Sequence, residues 1–317
     1  MTILLRTARR PFAAIVELSR DWLLPSRTMP RRSWPLAIGV AYVAVICALG
    51  DLHTSNLAIG ALCLLDAYNP NTRRFLGVFW PFIVTGALYE SLRYYLDATT
   101  TGRIHVAELY VLDRAWFGIG THTLNEVFAV HHWVVADLAA GFAYLIYVAE
   151  YLALALLAFF AGGVARAHTF ARGFLVVNAM GFVTYRVDPA APPWYVAAHG
   201  FGPPLLGSAP SPGAAARFDA LLGTEVFEDM YRHSVDVFGA IPSLHAAYPV
   251  MAAILVFRTR ELGWARWPAA GYAALMCFSA VYLQHHYVID VLLGLSYGTV
   301  AVIAVLAWER RRAAPVT

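Results

Sequence analysis

The sequence has no lysine: all 23 basic residues among its 317 are arginine, a bias that fits a GC-rich coding sequence better than any mechanism. Cysteine is almost as scarce. Cys47, Cys63 and Cys277 all lie inside apolar runs, so neither a disulfide framework nor a metal-ligand spacing follows. Charge is thin at 14% of residues and nets only +3, and no nucleic-acid partner is expected. Internal repeats and low-complexity tails are absent as well.

What fills the chain is apolar: 60% of residues, with a mean hydropathy of +0.58. That composition belongs to an all-α polytopic membrane protein rather than to two soluble domains. A spanning helix needs about 20 mostly apolar residues. Candidates cover residues 33–52, 56–68, 75–96, 134–162, 169–186, 242–257, 267–284 and 286–308, with 56–68 the shortest. The expectation is therefore about eight transmembrane helices. Arg6, Arg9 and Arg10 before an apolar stretch faintly resemble a signal peptide, but Glu17 and Arg20 interrupt it. An amphipathic interfacial helix over residues 2–24, ending near Trp22, is preferred. The expected organisation is that helix, N-terminal spans over 25–70, a catalytic membrane domain over 71–308 and a cytoplasmic tail over 309–317.

Positive charge orients the spans. With Arg310, Arg311 and Arg312 placed in the cytoplasm and the spans alternating backwards, 17 of the 23 arginines fall inside. Two polar segments then lie outside. Residues 97–133 contain helix-like stretches, with Trp116 and Trp133 suited to an interface. Residues 187–241 open with Asp188-Pro189-Ala190-Ala191-Pro192-Pro193-Trp194-Tyr195, a run that is not regular helix.

Two short stretches reach the same outer face. One is Gly239-Ala240-Ile241-Pro242-Ser243-Leu244-His245, and the other His285-His286-Tyr287-Val288-Ile289-Asp290. His286 and Asp290 are four apart and share a helix face, a spacing that lets the carboxylate fix one imidazole tautomer and leave the other nitrogen nucleophilic. Pro242-Ser243 reads as a helix start with Ser243 as cap, so free N–H groups of the first turn face an anion. A single histidine at a membrane interface is commonly just a snorkelling polar side chain. A carboxylate inside a span is costly, and paired with histidine it points to function.

Ser243 and His245, with His286 and Asp290 downstream, resemble the second and third signature motifs of the type 2 phosphatidic acid phosphatase superfamily. Residues 238–245, 285–290 and 188–195 are most similar to its inositol phosphorylceramide synthase branch, which shares the double histidine before tyrosine and the Pro-Pro-Trp run. The resemblance covers roughly residues 75–308. It implies a six-helix phosphatase-like core behind two N-terminal spans, with short interfacial helices in the extracytoplasmic loops. It also implies transfer of a phospho-alcohol head group, phosphoinositol foremost, from a glycerophospholipid to a ceramide-type acceptor. His286 attacks phosphorus and forms a phosphohistidine, Asp290 stabilises the imidazolium, and His245 serves as acid and then base. No metal or other cofactor is implied, and diacylglycerol is released. The expected location is an integral, multi-pass position in a membrane, the plasma (inner) membrane if the cell is bacterial, with the site on the extracytoplasmic face.

The chain also departs from the phosphatase pattern. Six residues before His286 the pattern has arginine, where this chain has Ala280. The first phosphatase motif, built on lysine and an Arg-Pro pair, is not recognisable. Arg93 and Arg186, each ending a span at the outer face, are the candidate phosphate clamp. His285 and Tyr287 join Ser243 as candidate substrate contacts, with His285 off the His286–Asp290 face. Asp137, Asp188, Asp236 and Glu90 are candidates for inositol hydroxyls, and Glu150, deep in a span, must be either protonated or paired, with Tyr147, Tyr151 or a polar group on a neighbouring helix as partner. Two other readings use the same histidines: a lipid phosphate phosphatase with water as acceptor, and a transporter or channel with a metal or proton site there, where His245, His285, His286 and Asp290 could ligate zinc.

Overall fold

The computed structural model describes residues 34–48, 50, 54–68, 70–92, 103–232, 234 and 236–313. The expected interfacial helix over residues 2–24 lies outside them. Among the described residues the regular structure is helical, with isolated β-bridges but no strand. In chain order the helices are α1 (Trp34–Ala48), α2 (Thr54–Tyr68), α3 (Pro70–Ser91), α4 (Glu108–Phe117), α5 (Leu124–Val130), α6 (Val134–Leu145) and α7 (Tyr147–Leu157). There follow α8 (Val164–Val187), α9 (Pro193–His199), α10 (Ala216–Leu222), α11 (Val226–Arg232), α12 (Leu244–Arg258), α13 (Arg266–Tyr282) and α14 (Val288–Ala313).

Helices stand at all eight positions where the apolar pattern predicts spans, but their lengths differ from expectation. Among the described residues only α14, with 26 residues, is by itself long and apolar enough to cross a bilayer. The 15-residue α1, α2 and α12 each reach about 22 Å, short of a hydrocarbon core of about 30 Å. The stretch expected as one span over 134–162 is bent by 55° between α6 and α7. The chain leaves helical geometry at Ile146, with φ −101° and ψ 7°. Tyr144 and Tyr147, on either side of that break, both pack against the His245 ring.

The chain forms two compact units, one from Met1–Tyr89 with Ala155–Leu175 and one from Glu90–Leu154 with Val176–Thr317. In the first, α1 packs on α2. The approach is close enough that a Cβ on Gly39 would lie 2.6 Å from the Cys63 Cβ. Asn56, buried between these helices, donates to the Tyr42 hydroxyl at 3.0 Å. Phe75, Phe79, Phe82, Phe159 and Phe174 form its aromatic core.

The second unit holds both motif stretches. Its α12 lies against α13 and, most extensively, against α14, while α13 packs on α6. Small residues make the α12–α14 seam. Gly294 and Gly298 sit four apart on one face of α14, so the neighbouring backbone can come within reach. A Cβ on Gly298 would lie 2.6 Å from the Ala247 carbonyl oxygen, and one on Gly294 would overlap the Ser243 carbonyl oxygen. Overpacking of this kind costs about 1–3 kcal/mol. Gly294→Ala and Gly298→Ala are expected to lower the thermal midpoint in detergent and cut activity at least about tenfold. Ser296→Ala, on the exposed side of the same helix, should leave both unchanged.

Candidate active site

The turn between α13 and α14 delivers the two adjacent histidines. Helix α13 ends at Tyr282, and Gln284 takes a left-handed backbone conformation with φ 66°. The reversal aims two successive amides at one acceptor: His285 N–H and His286 N–H both donate to the Ala280 carbonyl, at 3.2 and 3.0 Å. Ala280 itself is fully buried. Where the phosphatase pattern has a cationic side chain, this chain has a packed methyl and a doubly occupied carbonyl. Asn125, from α5, clamps the same turn by donating to the carbonyls of Val281 at 2.8 Å and His286 at 3.0 Å.

His286 precedes the last helix rather than opening it, because α14 begins at Val288. The expected helical pairing with Asp290 is corrected accordingly. His286 Nδ1 donates to the Ala240 carbonyl at 2.8 Å, and Asp290 Oδ2 stands 3.8 Å away. That carboxylate oxygen instead accepts the Tyr287 amide at 2.8 Å, which makes Asp290 a cap for its own helix. A carbonyl can only accept, so His286 carries its hydrogen on Nδ1 and presents Nε2 as a lone pair.

Ala240 is fixed by a ladder of backbone bonds among three loops. Ala240 N–H donates to Ala190 O at 3.2 Å and Ala190 N–H to Phe238 O at 2.7 Å. On the other side His105 N–H donates to Pro189 O at 2.9 Å and Ala191 N–H to His105 O at 2.8 Å. The proline-rich run therefore does positional work: residues 189–191 are extended partners for both flanking loops. Its second half departs from the expectation, since Pro193 opens α9, where a missing N–H costs nothing.

Ser243 caps α12, its Oγ accepting the Ala246 amide at 3.3 Å, and its own amide donates to the Asp290 carbonyl at 3.0 Å. One residue into that helix, His245 brings Nδ1 to 3.1 Å from His286 Nε2. The same Nδ1 lies 3.1 Å from the Tyr144 hydroxyl, and the Tyr144 ring stacks on the imidazole with centroids 4.1 Å apart. His285 faces away from this pair, with Nδ1 3.2 Å from the Tyr231 hydroxyl and its ring stacked against both Tyr231 and Tyr144. Burial, with a smaller contribution from His286, pushes the His285 imidazole down to about 3, so it stays neutral. Tyr287 is buried with its ring edge-on to Tyr110, and its hydroxyl has no hydrogen-bond partner among the described residues.

The remaining expected contacts divide. Arg93 lies outside the described residues. Arg186 is in the last turn of α8, next to Tyr185, whose hydroxyl donates to the Pro242 carbonyl at 2.8 Å. Asp137 is committed elsewhere, paired with Arg217 at 2.6 Å and accepting from Tyr282 at 2.9 Å. Asp188 pairs with His105 at 2.8 Å. Of the two alternatives for Glu150, pairing is not found: neither carboxylate oxygen makes a hydrogen bond among the described residues.

Sequence reasoning missed Asn125, Tyr144, Tyr231 and Asp113. Asp113, fully buried on α4, accepts the Ile289 amide at 3.0 Å and so caps α14 from another part of the chain. Burial, reinforced by nearby Asp290 and opposed by backbone donors, pushes its carboxyl up to about 6.

The chain is similar to known proteins over most of its length. The PAP2 superfamily model matches residues 107–307. A phosphoinositol dihydroceramide synthase of Bacteroides thetaiotaomicron is 35% identical over 270 residues, covering 82% of this chain and 87% of that protein. The inositol phosphorylceramide synthase catalytic subunit of Schizosaccharomyces pombe is 37% identical over 125 residues, 39% of this chain and 29% of the yeast protein. The inositol phosphorylceramide synthase of Candida albicans is 31% identical over 175 residues, 54% and 36% of the two chains. No solved structure matches.

Two expectations follow from the supporting residues. Asn125→Leu strands two buried carbonyls at about 1–3 kcal/mol each, and should lower both the thermal midpoint and activity by about tenfold or more. For Asp113, a carboxyl pKa raised on folding favours the protonated folded state, so its contribution to stability is lost as pH rises from about 4 to about 6. Asp113→Asn keeps an acceptor for Ile289 N–H. Thermal melts from pH 4 to 7 should show the wild type losing ground to this variant across that window.

Proposed function

The chain belongs to the PAP2 superfamily, and on that premise we propose that it moves a phosphoinositol head group from a glycerophospholipid to a ceramide-type acceptor. The observation that carries this reading is the 3.1 Å approach of His245 Nδ1 to His286 Nε2, with His286 Nδ1 already committed to a backbone carbonyl. A phosphodiester bound against this pair meets a nucleophile of fixed tautomer and an adjacent acid.

In the first half-reaction His286 Nε2 attacks phosphorus while the bond to the diacylglycerol oxygen breaks. His245 protonates that oxygen as it departs. The phosphohistidine is cationic, and Asp290, 3.8 Å from His286 Nδ1, together with the Ala240 carbonyl, stabilises it. In the second half-reaction His245 removes the proton from the acceptor hydroxyl. The oxygen attacks phosphorus, the N–P bond breaks, and His286 is regenerated. The remaining N–H groups in the first turn of α12 and the guanidinium groups of Arg186 and Arg93 are assigned to the phosphate oxygens, and His285 and Tyr287 are assigned as further substrate contacts. No metal or cofactor enters the scheme.

The eight-span topology expected from the sequence puts this site at the extracytoplasmic face, the inner membrane's outer side in a bacterial cell. The substrates are bilayer lipids, which suits a site at helix ends.

The test is product analysis with purified protein in mixed micelles of phosphatidylinositol and ceramide. Diacylglycerol and inositol phosphorylceramide should form in equal amounts. Free inorganic phosphate as the main product would instead support the phosphatase reading. His286→Ala and His245→Ala should each lose about a thousandfold or more in kcat, and Asp290→Asn less. Near wild-type turnover in either alanine variant would sink the two-histidine scheme.

A further inference from the structure

The scheme above places a positive charge on each histidine in turn. As an imidazolium, His245 gives its proton to the departing diacylglycerol oxygen and turns neutral, while His286 becomes the cationic phosphohistidine. When His245 takes the proton of the acceptor hydroxyl, the N–P bond breaks, His286 turns neutral and the charge is back on His245. Only one of these two cations has a carboxylate. Asp290 stands 3.8 Å from His286 Nδ1, and among the described residues no carboxylate pairs with His245.

What His245 has instead is aromatic. The Tyr144 ring stacks on the imidazole with centroids 4.1 Å and planes 19° apart, and the Tyr147 ring lies 4.3 Å away at 40°. Both fall inside the roughly 6 Å over which a ring face attracts a cation, and both are closer than the about 4.5–7 Å usual between packed rings. Each tyrosine is braced from behind: His285 stacks on Tyr144 at 4.9 Å, and Tyr248 on Tyr147 at 5.6 Å with planes 7° apart. The two tyrosines flank the break at Ile146 and touch each other at 6.1 Å, so the bent segment delivers both rings to one imidazole. Where a ring covers the imidazole, water is excluded, and π electrons take the place of hydration for the cation.

We propose that Tyr144 and Tyr147 are positioning residues whose ring faces stabilise the imidazolium form of His245, as Asp290 does the cationic form of His286. No proton leaves either tyrosine in this role. His285 gains a use as the brace behind Tyr144. The inference rests on the two-histidine scheme and names the groups that let its acid carry charge. The Tyr144 hydroxyl also stands 3.1 Å from His245 Nδ1, which mixes a hydrogen bond with the effect of the ring, so Tyr147 is the cleaner position to test.

The experiment compares Tyr147→Phe with mono-, di- and trifluorophenylalanine at the same position. The series holds ring shape nearly constant, lacks the hydroxyl throughout, and drains negative charge from the ring face step by step. Turnover should fall with each fluorine, by roughly tenfold in kcat from phenylalanine to the trifluoro ring, with KM for phosphatidylinositol and for ceramide within about twofold. The thermal midpoint should not move. The same fluorinated rings at Phe128, which packs on Phe278 and Tyr282, should leave kcat flat. A flat series at Tyr147, an equal slope at Phe128, a loss carried by KM, or a midpoint falling in step with kcat would overturn the inference by leaving the rings a packing role. His245→Ala and His286→Ala run alongside. If either stays active, the underlying scheme fails; if both are inactive and the Tyr147 series is flat, this inference alone fails.

Discussion

The position of one hydrogen, on His286 Nδ1 against the Ala240 carbonyl, organises the whole site. It decides which ring nitrogen of His286 presents a lone pair to His245. The bond is 2.8 Å long and buried, so water does not compete for it. Its acceptor owes its place to Ala190, whose own loop is tied to His105. Loops far apart in sequence thus converge to hold one backbone oxygen. Two prolines of this loop make sense in this light: Pro189 and Pro192 suppress alternative helix over residues 189–192 and keep the extended backbone available for pairing, while Pro193 opens α9.

Departures from the phosphatase pattern also become intelligible. Ala280 cannot serve a phosphate, but its carbonyl receives the amides of both His285 and His286, and its side chain is in the packed interior. An arginine there would have to leave through that packing. Arg186, in the last turn of α8, is the described arginine that the proposed scheme assigns to the phosphate instead. A phosphodiester carries one negative charge where a monoester carries two, so fewer cations are needed.

Much of this was legible in the sequence because it is local. Apolar runs mark the helices, Ser243 announces its cap, and the two histidine stretches flag the chemistry. The His286–Asp290 spacing misled in detail: four residues apart means one face only if both lie in the helix, and the helix starts two residues after His286. Asp290 had a second use, as a cap, that competes for the same oxygen. What stayed hidden is long-range. Asn125 bonds carbonyls 156 and 161 positions away, and Tyr144 reaches His245 across 101. An asparagine donating to a main-chain carbonyl leaves no pattern at the acceptor, since every residue has one. The bend at Ile146 is equally silent, having neither proline nor glycine at the break.

The glycine seam between α12 and α14 carries a consequence for a catalyst embedded in lipid. Because Gly294 and Gly298 let backbone meet backbone, the separation of the helices bearing His245 and Asp290 is set by main-chain atoms rather than by side chains that can change rotamer. Membranes vary in thickness, fluidity and composition, and helices tilt in response. A joint made of backbone contacts can ride that tilt as a single piece. The reacting nitrogens would then keep their spacing while the surrounding bilayer changes, and substrate supply rather than site geometry would register the state of the membrane.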